Sequence, residues 1–127
     1  MPQVDSRPVY LNLLRIRLPI AGVMSIAHRL SGVLMVLMIP LGLYLLERSL
    51  SSPEGFAQTR ALFAGTFVRA IMLLALWGLL HHLFAGIRYL LIDVDVGVHK
   101  PVYRYTAWLV MIAAPVVAIL LCMVARS

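Results

Sequence analysis

The sequence contains few charged residues: Asp, Glu, Lys and Arg make up 13% of its 127 residues. A soluble domain has about 25% charged residues, so this chain has too few to cover a surface that faces water. Hydrophobic residues account for 62%. Because disorder requires low hydrophobicity and high charge, the composition argues against both a soluble globular enzyme and a disordered chain. It indicates an integral membrane protein.

Cysteine is almost absent, since Cys122 is the only one. A single cysteine excludes an internal disulfide and a metal site built from several cysteines. Acidic residues are also scarce, with five against eleven Lys and Arg, which gives a net charge of +6. In a membrane chain this excess more often marks one bilayer face than a nucleic-acid partner, and we predict none.

Three long apolar segments dominate what is present. They predict membrane-spanning helices at about residues 20–47, 68–92 and 104–125, each near the roughly 20 residues that cross a bilayer. A segment of residues 1–19 precedes them, and a turn with Pro53 and Gly55 separates the first two. Pro40 and Pro115 are tolerated as kinks in lipid. The predicted fold is an all-α membrane protein with three transmembrane helices.

The distribution of Lys and Arg predicts the orientation. One side of the predicted topology holds seven of them and the other side holds four, and the richer side is expected in the cytoplasm, or in the matrix of an organelle. The N-terminal segment would therefore be cytoplasmic. The richer side carries Arg7, Arg15, Arg17, Arg29, Arg88, Lys100 and Arg104, and the other side carries Arg48, Arg60, Arg69 and Arg126.

The first polar cluster lies at the start of the first apolar segment and contains Ser25, His28 and Arg29. An ionisable group at membrane depth costs about 2.5–3.5 kcal/mol, so it requires a partner or a task. Residues three and four apart share a helix face, and this cluster offers a hydroxyl, an imidazole and a guanidinium to an anion or a carbonyl oxygen. The alternative is that Arg29 reaches out to lipid head groups and Ser25 packs against a neighbouring helix.

The second cluster lies in the second apolar segment, where His81 and His82 are adjacent and Gly86 and Tyr89 follow. Imidazole is the commonest metal ligand and a standard axial ligand of haem iron. Gly86 shares a face with His82 and leaves room for a flat ring, whereas His81 points about 100° away. The alternative is that His82 forms a hydrogen bond to the backbone of another chain.

Together these motifs resemble one family. The segment Arg7-Pro8-Val9, followed by Ser25-x-x-His28-Arg29-x-Ser31, is similar to the N-terminal signature of the cytochrome b subunit of succinate dehydrogenase. The second motif, His82-x-x-x-Gly86-Ile87-Arg88 followed by Asp93, resembles the second signature of that family. This chain has Tyr89 where His or Phe is usual and Ile92 where an aromatic residue or Met is usual.

The resemblance implies the large membrane anchor of succinate:ubiquinone oxidoreductase, respiratory complex II. Its partners would be a flavoprotein, an iron–sulfur protein and a second small anchor, in a bacterial inner membrane or, alternatively, a mitochondrial one. It further implies that His82 is one axial ligand of haem b, shared with the second anchor. Ser25 and Arg29 would line the ubiquinone site, and His28 and Arg29 would lie near the haem propionates. No residue of this chain would be catalytic toward succinate.

Two other functions stay open from the sequence. A transporter or structural membrane protein would use the polar clusters to line an ion path, but the apolar segments lack the acidic residues that such a path favours. A haem-free or fumarate-reducing relative is the other alternative. His82 argues against a haem-free one, and the residues do not fix the direction of catalysis.

Overall fold

The computed structural model describes residues 17–125, which form four helices and no strand. They are α1 (Ile20–Ser51), α2 (Pro53–Ala64), α3 (Thr66–Asp93) and α4 (Val102–Val124). The predicted all-α class is therefore confirmed. Most of the N-terminal segment, including the motif Arg7-Pro8-Val9, lies outside the described residues.

Three of these helices, α1, α3 and α4, are long and apolar enough to cross a membrane, which confirms the three predicted spans. Large apolar side chains stay exposed along all three, as expected where lipid rather than water surrounds a helix. α1 has 32 residues and continues past its expected end near residue 47. Pro40 and Pro115 lie inside α1 and α4, which stay continuous through them.

The second helix, α2, corrects the prediction of a simple turn between the first two spans. The hydroxyl of Ser52 accepts a hydrogen bond from the backbone N–H of Gly55 at 2.9 Å, and Pro53 occupies the first helical position. Both features are typical of a helix start. A side chain on Gly55 would collide with the Arg48 carbonyl, so only glycine fits where α1 turns into α2.

α3 packs against both α1 and α4, which also contact each other. The start of α1, the end of α3 and the start of α4 meet around a small core of Met24, Ala85, Ala107 and Val110. Small residues let α4 approach closely, as is common between membrane helices. At this end of the bundle His28 of the first polar cluster meets His82 of the second.

Candidate functional site

His82 projects from α3 onto α1 and forms the central contact of the site. Its Nδ1 lies 3.1 Å from the backbone carbonyl oxygen of His28 and 3.4 Å from the hydroxyl of Ser31. A helix–helix hydrogen bond of His82 was the alternative to a ligand role. The structure contains such a bond, but it lies within this chain and uses only one of the two ring nitrogens.

The chemistry of these neighbours assigns the proton on His82. A carbonyl oxygen only accepts, and the single hydroxyl hydrogen of Ser31 is donated to that same His28 carbonyl at 2.8 Å. Both groups that face Nδ1 are therefore acceptors toward it, so Nδ1 carries the hydrogen. In a neutral imidazole the other nitrogen, Nε2, then holds a free lone pair.

His28 is stacked on His82, with ring centroids 4.0 Å apart and an interplanar angle of 12°. The Tyr89 ring approaches the His28 ring edge-on, with centroids 5.3 Å apart. Nε2 of His28 and the hydroxyl of Tyr89 are buried without a hydrogen-bond partner among the described residues. Two buried polar atoms near the stacked rings thus lack a hydrogen-bond partner among the described residues, and a bound polar group could supply one.

Gly32 permits this close approach of α3 to α1. A Cβ at Gly32 would lie 3.0 Å from Cε1 and 3.3 Å from Nδ1 of His82, too near for an unshifted ring. At Gly86, which we expected to make room for a ring, an added Cβ would make only an ordinary contact, 3.9 Å from Nε2 of His28. Beside His82, the constrained glycine is therefore Gly32 of α1 and not Gly86 of α3.

His81, adjacent to His82, has a different environment. Its side chain is 0% exposed, and its ring lies 5.5 Å from that of Trp77 and beside the backbone of Met24. Both of its ring nitrogens are buried without a hydrogen-bond partner among residues 17–125. The His82 side chain, in contrast, is only half-buried, and its Nε2 has no hydrogen bond with a described residue. It is the imidazole nitrogen of this pair that an external group can reach.

Ser25 and Arg29 lie apart from this stacked pair. Ser25 is half-buried and Arg29 is exposed, and neither side chain has a hydrogen bond or an ion pair with a described residue. His28 turns toward α3, so the expected cluster of hydroxyl, imidazole and guanidinium is not tied together within this part of the chain. The Arg29 charge remains available to a group outside the described residues.

Arg88 has a structural role that the pattern within α3 alone did not predict, because its partners lie in α4. It is 5% exposed, and it donates from Nε to the Thr106 hydroxyl at 2.9 Å and from a terminal nitrogen to the Tyr103 carbonyl at 2.8 Å. Its guanidinium also lies 4.5 Å from the centre of the Tyr103 ring. Arg88 therefore holds the end of α3 against the start of α4.

Three helices that are long and apolar enough to cross a membrane, joined by polar contacts, are typical of a multi-pass membrane protein. Within residues 17–125 no group of three or more His, Cys, Asp or Glu could hold a metal ion. Ser31 and Gly32 are site residues to which sequence reasoning assigned no role, although both lie at the first motif. The signal that could have found them is a pair of small residues shortly after a membrane-depth histidine.

Comparisons with known proteins identify the family. The model of the succinate dehydrogenase/fumarate reductase transmembrane subunits matches residues 3–122. The chain is 34% identical over 116 residues to the succinate dehydrogenase cytochrome b556 subunit of Coxiella burnetii, covering 91% of this chain and 93% of that one. It is 33% identical over 92 residues to the subunit of the same name from Paracoccus denitrificans, covering 72% and 71%. The chain therefore belongs to the family of succinate dehydrogenase/fumarate reductase transmembrane subunits.

Proposed function

We propose that this chain is the haem-bearing membrane anchor of a succinate:ubiquinone oxidoreductase. It would assemble in a bacterial inner membrane with a flavoprotein, an iron–sulfur protein and a second small anchor, with its N-terminus in the cytoplasm. The family match and the two relatives named as cytochrome b556 subunits support the assignment to succinate dehydrogenase. The seven-to-four distribution of Lys and Arg supports the orientation.

The observation that carries the haem assignment is the asymmetry between the two nitrogens of His82. Nδ1 is tied to the His28 carbonyl at 3.1 Å, and Nε2 is left accessible with its lone pair. A ligating histidine usually donates its other N–H to a carbonyl or carboxylate, which fixes the ring and raises its basicity. The residues present therefore fit an axial ligand, and this chain would supply one of two, the other coming from the second anchor.

His28 and Arg29 would hold the haem propionates. Nε2 of His28 is a buried polar atom without a partner among the described residues, and a carboxylate would satisfy it. The exposed guanidinium of Arg29 matches a carboxylate in a geometry that lysine cannot reproduce. A bound b-type haem supplies one-electron redox chemistry within the membrane.

Ser25 and Arg29 would bind the quinone head group. Reduction of a quinone to a quinol takes two electrons, supplied by the oxidation of succinate to fumarate, and two protons. Negative charge develops on a quinone carbonyl oxygen, and a hydroxyl donor with a fixed cation stabilises it where water is excluded. Because neither side chain is engaged with another described residue, both are free for this task.

The experiment that tests this function is optical. The chain is tagged, purified in mild detergent with its associated subunits, and treated with succinate and then with dithionite. We expect the partner subunits to copurify and succinate to produce the absorption bands of a reduced b-type haem. An intact complex without haem under either reductant would contradict the haem assignment. Reduction by dithionite alone would leave haem binding standing and contradict electron transfer from succinate to the haem.

A further inference from the structure

We propose that Ser31 and Gly32 of α1 are positioning residues for His82. Gly32 leaves the space in which the imidazole lies, and Ser31 holds the acceptors that keep the proton on Nδ1. This inference rests on the proposed function, because it concerns the residue assigned there as the axial ligand. It extends that function by assigning the orientation of the His82 ring to α1, a helix that would supply no ligand to the haem iron.

The space between Gly32 and the His82 ring is too small for a side chain at position 32. An added Cβ at Gly32 would meet two atoms of the His82 ring, at 3.0 and 3.3 Å. The obstacle is a stacked ring and not the end of a flexible chain, since His28 lies 4.0 Å away on its face. A methyl group at position 32 would therefore push the imidazole away from the His28 carbonyl instead of being absorbed.

Ser31 acts through hydrogen bonding. Its side chain is fully buried, and its hydroxyl donates to the His28 carbonyl at 2.8 Å while its oxygen lies 3.4 Å from Nδ1 of His82. The hydroxyl therefore holds the carbonyl next to Nδ1 and offers a lone pair toward the same nitrogen. Without it, a single carbonyl would restrain the ring, and rotation of the imidazole plane would become easier.

α1 offers a matched control for each substitution. Gly42 lies in the same helix, and an added Cβ there would meet nothing within 4 Å. Ser49 likewise donates to the carbonyl three residues before it, that of Leu46, at 2.8 Å, but it lies near the opposite end of α1 from Ser31. Gly42→Ala and Ser49→Ala therefore repeat the chemical changes without touching the imidazole.

The experiment compares Gly32→Ala and Ser31→Ala with these two controls in the purified complex. Haem content is measured from the reduced absorption spectrum, and the orientation of the ligand is followed by electron paramagnetic resonance of the oxidised haem, whose g values respond to rotation of an axial imidazole. Mutating a residue that hydrogen-bonds to a metal-ligating side chain typically lowers the affinity for the metal group about 10–100-fold. We expect a loss of this size for Gly32→Ala, and for Ser31→Ala a shift in g values with haem retained.

Copurification of the partner subunits and the melting temperature separate a local effect from loss of folding. If Gly32→Ala fails to assemble with the partner subunits, the g values of Ser31→Ala still test the inference. Wild-type g values and haem content in both variants, with haem lost in His82→Ala, would overturn this inference and leave the proposed function standing. A wild-type complex without haem would overturn the proposed function itself, independently of any variant.

Discussion

Near the end where α1 begins and α3 ends, the interface between these helices is polar, whereas further along it becomes apolar. The polar half contains the stacked pair of His28 and His82 with Ser31 and Gly32. The apolar half is a groove lined only by Leu34, Met35, Met38, Ile39, Gly42, Leu43, Leu46, Ala75, Leu76 and Leu79. The same two helices thus pack through fixed rings and directed hydrogen bonds in one half and through flexible side chains in the other.

Two glycines make this difference concrete. At Gly32 and at Gly78 an added Cβ would come within 3.0 Å of the opposite helix. At Gly78 the atom met is Cδ2 of Leu34, the end of a flexible side chain that can change rotamer. At Gly32 it is a ring atom of His82. The same distance therefore has different consequences at the two glycines. A methyl group at position 78 can be accommodated by a rotamer change of Leu34, whereas one at position 32 would displace the His82 ring.

The largest effect expected concerns Ser25 and Arg29, which lie on α1 near the polar half but outside its stacked pair. Arg29→Leu should lower quinone reductase activity about a hundredfold, since it removes the charge that stabilises a developing oxyanion. Ser25→Ala removes one neutral hydrogen bond and should cost about tenfold. Succinate-dependent quinone reduction measures both, and reduction of an artificial dye by the soluble subunits should persist.

Arg60→Leu is the matched control, because Arg60 is also exposed but lies in α2, away from the polar half. Unchanged quinone reduction in both Arg29→Leu and Ser25→Ala would place the quinone site elsewhere.

A smaller effect is expected in the apolar half. Gly78→Ala adds a methyl group that Leu34 can avoid, and alanine favours a helix over glycine by about 0.5–1 kcal/mol, so the net change in stability should stay within about 1 kcal/mol. The melting temperature and haem content of the complex measure this. If Gly78→Ala lost as much haem as Gly32→Ala, the polar and apolar halves of the interface would not differ in the way proposed here.

The membrane spans were predictable from the sequence because a run of about 20 apolar residues is typical of a helix that crosses a bilayer. The additional helix α2 was missed because Ser52, Pro53 and Gly55 are signals of a turn as well as of a helix start. Those residues alone do not distinguish a chain that turns once from one that continues into a helix.

Within the site, periodicity separated His81 from His82 by face, but it did not reveal what each face meets. The contact of His28 with His82 joins residues 54 positions apart, and the contact of Arg88 with Thr106 spans 18. Such pairings depend on how α1, α3 and α4 rotate against one another. The periodicity of a single helix does not show how it is rotated against its neighbours. The contacts of Ser31 and Gly32 with His82 were therefore seen only in the tertiary structure.

The most direct test of the haem assignment compares the haem content of complexes carrying His82→Ala or His81→Ala. Of these two neighbours only His82 keeps an accessible nitrogen, so His82→Ala should abolish the normal b-type spectrum after reduction with dithionite. His81 is fully buried, so His81→Ala should retain the spectrum while lowering the melting temperature through the cavity it leaves. A normal spectrum in His82→Ala, or haem loss confined to His81→Ala, would contradict the central claim.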